Sequence, residues 1–216
     1  MKKFIFPLDH YLSDIMFPHT RISEREQIII CILEACRYMM VSDELQHHVS
    51  TNIIALVIDK MKRLFICSPK KCYSVSFPFN PTINTDGHLK FDYDGIDINS
   101  MIISQVCQVL QSEEFKGNDA IDLVDYIDRV SSQNSMNIWI LIKRLLTYEI
   151  GYIRYDDDIK GFNAAKANHT QNKHPRHHFD INYTNEATYK IGLTKSMTLD
   201  EFVQIIDNHS DRMFLQ

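Results

Sequence analysis

Between residues 28 and 40, apolar side chains recur at Ile28, Ile29, Ile32, Leu33, Cys36, Met39 and Met40, the three-and-four spacing of a largely buried helix. Ser23-Glu24-Arg25-Glu26 stands before it in capping-box form, with a hydroxyl placed for a backbone N–H and a carboxylate placed to reach back. From residue 52 to residue 79 the pattern changes to short β-branched and aromatic runs, IIALVID, RLFICS and YSVSFPF, divided by polar turns. These predict a three-strand meander. Asp86-Gly87 and Asp94-Gly95 bracket HLKFDY, whose alternation predicts a fourth strand.

Three helical stripes follow. Ile98, Met101, Ile102, Val106, Val109 and Leu110 form the first, and Ile121, Val124, Ile127 and Val130 the second. The third, residues 135–150, carries Trp139 among apolar positions on nearly every side and reads as a central helix. Asp119, Asp122, Asp125 and Asp128 interleave with the second stripe, which marks a solvated helix face better than a carboxylate site. Gly151 stands where a left-handed cap would end the third helix.

Beyond it, YIRYD, HHFDINY and TYKIGL read as strands, with a long loop between the first two. A last helix starts at Thr198, where Thr-Leu-Asp-Glu forms another capping box and Met197 can staple against Phe202. Strands and helices come in runs and do not alternate, so the expected class is α+β, antiparallel sheet or sheets packed against a group of helices. One domain over residues 1–216 is the simplest organisation, with a subdivision at 1–95 and 96–216 as the alternative.

Side chains alternate across a strand, so parity sorts the C-terminal polar residues. Ile153 and Tyr155, then Phe179, Ile181 and Tyr183, then Tyr189, Ile191 and Leu193, form the apolar sets. If the strands are neighbours in register, Arg154, Asp156, His178, Asp180 and Lys190 share the opposite face. Asp156, His178 and Asp180 offer two carboxylates and an imidazole for a divalent cation, magnesium, manganese or zinc. Arg154 and Lys190 are the cations to stabilise charge on a phosphate. The same residues would also suit cross-strand ion pairs on a solvated sheet face. The connecting loop adds Lys160, Lys166, Lys173 and Arg176, with no acid between Asp158 and Asp180.

Composition narrows the choice. A formal charge of −5 over 216 residues argues against a broad polyanion-binding surface, though not against a local one. Five cysteines, odd in number and scattered, suit reduced thiols in the cytoplasm. Cys67 and Cys72 flank a Ser-Pro-Lys-Lys turn without a second Cys/His pair nearby, so buried thiols are favoured over a zinc site. No run of about 18 apolar residues predicts a membrane span, and the start MKKFIFPLDHYL is too short and interrupted for a signal-peptide core. Gly-rich phosphate loops, nucleophile elbows and the His-Glu-x-x-His pattern are absent. The Asp…Glu-x-Lys hairpin of many nucleases is only partly met, because Thr188 stands two before Lys190 and Glu186 four before it.

The order GYIRYD at 151–156, His-Pro-x-His-His-x-Asp at 174–180 and Tyr-Lys-Ile-Gly-Leu at 189–193 resembles an uncharacterised bacterial family known only as a domain of unknown function. The resemblance covers the C-terminal third and carries no established activity. It implies an accessory role in phage defence or a toxin–antitoxin module, acting on nucleic acid or a partner protein. Two functions are expected from these readings. One is a metal-dependent phosphodiesterase or nuclease using Arg154, Asp156, His178, Asp180 and Lys190; the other is a non-catalytic interaction module or complex subunit whose histidine-rich loop docks a partner. Either is compatible with a homodimer.

Overall fold

The computed structural model describes residues 1–17, 22, 24–43, 52–116, 120–131, 135–181, 189–207 and 210. Its first half contains β1 (Lys2–Pro7), α1 (His10–Met16), α2 (Arg25–Met39), β2 (Ile53–Ile58), β3 (Lys62–Cys67), β4 (Lys71–Ser76), β5 (Asn80–Ile83), β6 (Leu89–Tyr93) and β7 (Ile96–Asp97). Then come α3 (Ser100–Gln111), α4 (Glu113–Lys116), α5 (Ala120–Ser131) and α6 (Ser135–Thr147). The chain closes with β8 (Ile153–Asp157), α7 (Ile159–Ala167), a 3-10 turn at Gln171–Lys173, β9 (His177–Ile181), β10 (Tyr189–Leu193) and α8 (Leu199–Ile206). This is an α+β fold. Its contacts group into two compact units, one of residues 1–23, 44–77 and 150–216, the other of residues 24–43 and 78–149.

The first unit holds a seven-stranded antiparallel sheet in the order β1-β2-β3-β4-β8-β9-β10. The predicted meander supplies its middle, and β8 joins β4 through the pairing of Lys71 with Asp156 and Tyr73 with Arg154. β1 was not among the predicted strands; its run is short and ends at Pro7, which a sheet edge tolerates because no ladder hydrogen bond is lost there.

One face of this sheet buries an apolar cluster, with Arg63 hydrogen-bonded to Ser74 and Ser76 on the same face. Ile5, Ala55, Phe65, Tyr155 and Phe179 bury against Phe202 and Val203 of α8. The rings of Phe65 and Phe179 lie 5.5 and 5.2 Å from that of Phe202. Burying a phenylalanine in this way contributes about 2–3 kcal/mol. The helix is started as predicted: Thr198 Oγ1 accepts from the Glu201 N–H, and a Glu201 carboxylate oxygen accepts from the Thr198 N–H at 2.8 Å. Ile191 and Leu193 pack on this cluster as their parity requires, whereas Tyr189, at the strand's start, is 66% exposed.

The other face changes character along a single row. Register aligns Phe6, Ile54, Ile66, Tyr73, Arg154, Asp180 and Lys190 across all seven strands. The first four are buried and apolar in character, with the Tyr73 hydroxyl donating to the Met16 carbonyl of α1 at 2.8 Å. The last three are charged.

Two expectations about cysteine and loop structure do not hold. Cys67 faces Cys72 across the β3–β4 hairpin with Cα atoms 4.0 Å apart, and the two are joined by a disulfide, so they are neither free thiols nor metal ligands. Cys31, Cys36 and Cys107 are buried and take part in no disulfide. The predicted loop between β8 and β9 contains α7; Gly161 and its scarcity of apolar residues hid the helix, which has no fully buried side chain.

The second unit contains α2 to α6 and the three-stranded sheet β5-β6-β7. β6 and β7 are joined at Asp94-Gly95, whose φ values of 50° and 85° make the two-residue hairpin turn that the pair predicts. α2 is capped one residue later than expected, with the Glu24 N–H donating to Gln27 Oε1 at 3.3 Å; Ser23 lies outside the described residues. Asp125 and Asp128 are exposed, as a solvated face requires, and the side chains of Asp119 and Asp122 lie outside the description. α6 buries Ile138, Leu141, Ile142 and Leu145 on one side and leaves Trp139 half-buried, so it is not enclosed all round. It ends at Thr147, so Gly151, at φ 54°, is not its cap. Among the described residues no helix is long and apolar enough to cross a membrane.

Candidate metal centre

Adjacent positions of β8, β9 and β10 form two rows on the polar part of the sheet. Arg154, Asp180 and Lys190 face one another in the first, Asp156, His178 and Gly192 in the second. All five residues selected by parity therefore share one face. Three of the five are withdrawn from the solvated surface the composition also allowed, whereas Arg154 is half-buried and Lys190 exposed. Asp156, His178 and Asp180 are 7%, 1% and 3% exposed.

Buried charges of this kind are stable only when paired and hydrogen-bonded. Arg154 bridges the two carboxylates, donating from Nε to Asp156 Oδ2 at 2.8 Å and from Nη2 to Asp180 Oδ2. Lys190 Nζ donates to Asp180 Oδ1 at 2.7 Å. Two cations thus balance two anions. Burial opposes the charge on Arg154, but Tyr152, Asp156 and Asp180 outweigh it and hold the guanidinium above its ordinary pKa.

His178 is neutral and its tautomer follows from its neighbours. Nδ1 lies 2.8 Å from the Pro175 carbonyl, which only accepts, so the ring proton is on Nδ1. Nε2 then offers its lone pair, and Lys190 Nζ approaches it at 2.8 Å. Burial, with the nearby Lys190 charge, lowers the His178 pKa.

Nitrogen and oxygen donors of Asp156, His178 and Asp180 all lie within 4.8 Å of one another. His178 Nε2 is 3.8 Å from Asp156 Oδ2 and 3.8 Å from Asp180 Oδ1. Ligands about 2.1 Å from an ion span at most about 4.2 Å, so the two 3.8 Å separations from His178 Nε2 lie within the reach of a shared cation. Asp156 Oδ1 is buried and has no hydrogen-bond partner, a costly state for a carboxylate oxygen that a cation would relieve.

The chain from α7 to β9 sets this geometry, which sequence parity could not reveal. Asp158 caps α7 by accepting from the Gly161 N–H at 2.8 Å, and its other oxygen lies 2.9 Å from His174 Nε2. Arg176 donates to Asp157 at 2.7 and 3.2 Å. Pro175 is laid over Gly192, where a Cβ would come 2.8 Å from Pro175 Cγ. A glycine inside a strand pattern is a signal for such close approach, and Gly192 carried it. The loop histidines divide accordingly: His174 meets the His178 ring edge-on at 5.1 Å, His177 Nδ1 lies 3.1 Å from the Tyr155 hydroxyl, and His169 is exposed. Tyr152, absent from the predicted site, stacks on Tyr73 at 5.8 Å beside Arg154. Thr188 and Glu186, at the nuclease-motif positions, lie outside the described residues.

No family model, curated protein or solved structure matches this chain.

Proposed function

We propose that this chain is a metal-dependent phosphodiesterase or nuclease whose centre is formed by Asp156, His178 and Asp180. The observation that carries the reading is a buried trio of hard and borderline donors, with Asp156 Oδ1 unpartnered, directly beside two cationic side chains. Two carboxylates and one imidazole suit manganese or zinc, and magnesium with retained waters. A bound divalent ion supplies Lewis acidity toward a phosphoryl oxygen and an acidified water. The chain's own contribution is orientation and charge: Pro175 holds His178 in the tautomer that presents Nε2, Arg154 fixes both carboxylates, and Lys190 meets phosphate oxygen. The exposed side chains of Lys160, Lys166 and Lys173 give a nucleic-acid backbone a local basic approach. A bacterial defence or toxin–antitoxin setting fits that chemistry.

Calorimetric titration of manganese and zinc into the wild-type chain and Asp180→Ala, paired with hydrolysis of bis(p-nitrophenyl) phosphate and single-stranded DNA, tests the reading. Binding and turnover are expected in wild type and lost in the variant. Absence of metal binding by wild type would overturn it.

One observation favours a second reading, a non-catalytic interaction module. Arg154 and Lys190 already neutralise both carboxylates, so the trio also works as an ionic network that stiffens three strands. In that case Asp180→Ala leaves cellular function intact while deletion of residues 162–172 abolishes partner binding.

A further inference from the structure

The ammonium of Lys190 lies 2.8 Å from His178 Nε2 and 2.7 Å from Asp180 Oδ1, and those two atoms are 3.8 Å apart. It therefore sits where a cation shared by that imidazole and that carboxylate would sit. An ion about 2.1 Å from both donors would fall well inside the contact distance of Nζ. A lysine ammonium and a divalent cation also repel, most strongly where water is scarce. Both cannot be present.

We propose that Lys190 is a resident competitor for the metal position, so that cation binding and Lys190 displacement are one exchange. The proposal rests on the metal-centre reading above and deepens it. Of the two cations at the site, Lys190 is the one able to leave. Arg154 is held by two carboxylates and its side chain is 17% exposed, whereas the Lys190 side chain is 29% exposed and carries its charge on a flexible four-carbon stem. Departure of Nζ frees His178 Nε2 and one oxygen of Asp180 together, while Asp156 Oδ1 is free from the outset. That one movement adds two donors to the one already unpartnered. The displaced ammonium remains tethered to β10 at the rim, where an anionic substrate oxygen replaces its lost carboxylate partner. At low metal the centre is closed and charge-balanced; at high metal it opens with its phosphate-binding cation released.

The test compares manganese binding to wild type, Lys190→Met and Lys190→Arg by calorimetry, with thermal melting to establish that each is folded. Lys190→Met should bind manganese at least about tenfold more tightly than wild type, because one positive charge has been removed from within a few ångströms of the ion. Lys190→Arg should bind no more tightly than wild type. Equal or weaker binding by Lys190→Met, with wild type still binding, overturns the competition and leaves the metal centre standing. Failure of every form to bind manganese or zinc overturns the metal centre itself. A second measurement needs no variant: zinc titration of the wild-type chain followed by imidazole ¹⁵N NMR should move the His178 Nε2 resonance while Nδ1 stays protonated. Zinc binding that leaves the Nε2 resonance unmoved overturns the exchange.

Discussion

Gly192 lies beneath Pro175 so closely that a methyl group on its α-carbon would come 2.8 Å from Pro175 Cγ. The proline ring cannot swing aside as a flexible side chain would, so the loop itself must move. Since the Pro175 carbonyl is the partner of His178 Nδ1, Gly192→Ala links overpacking at β10 to the tautomer of a residue on β9. The variant is expected to lose about 1–3 kcal/mol in urea denaturation. Its His178 ring should show mixed tautomers by ¹⁵N NMR. Wild-type stability with a single Nδ1-protonated ring would show that the loop does not set the imidazole.

His178 also makes stability depend on pH. Its folded pKa lies below the ordinary value through burial and the adjacent Lys190 charge, while in the unfolded chain it takes up a proton near 6.5. Below that pH the unfolded state binds more protons than the folded state, so stability falls as pH drops from about 6.5 toward the depressed folded value. The slope from one such group is at most about 1.4 kcal/mol per pH unit. Urea midpoints at pH 7.5 and 5.5, measured with a chelator present, should diverge more for wild type than for His178→Gln. Identical divergence in the two proteins would remove His178 as the source.

The polar face of β8, β9 and β10 was legible in the sequence because strand parity is a local property. Arg154 and Asp156 are two apart, as are His178 and Asp180, and only the register between strands had to be assumed. Burial was not legible. A strand with alternating charge looks the same whether solvent or protein lies over it, so Asp180 at 3% exposure was indistinguishable from a surface aspartate. Nor could sequence order show that Lys190 would reach His178 Nε2, which follows from the β9–β10 register, or that Pro175 would supply the carbonyl, which follows from the path of the chain from α7 into β9. The disulfide escaped for a related reason. Five cysteines counted along the chain suggest thiols, but direct opposition of Cys67 and Cys72 follows only once the hairpin register is known.

Arg154 is the residue on which the electrostatics of the face turn. Its guanidinium is the only partner of Asp156 Oδ2 within hydrogen-bonding distance among the described residues, and it shares Asp180 with Lys190. Arg154→Met removes the fork and leaves two buried carboxylates against a single ammonium. Breaking a buried ion pair from one side costs about 3–5 kcal/mol, because the remaining charge is left without compensation. Arg154→Lys keeps the charge but cannot span both carboxylates, so an intermediate loss is expected. Adding Asp180→Asn to Arg154→Met should recover part of the loss, since the second substitution removes one of the stranded charges, and the double-mutant cycle measures that coupling directly. A loss within about 0.5 kcal/mol for Arg154→Met, typical of an exposed surface pair, would mean that water reaches these carboxylates freely and that they are not the buried, charge-balanced pair described above.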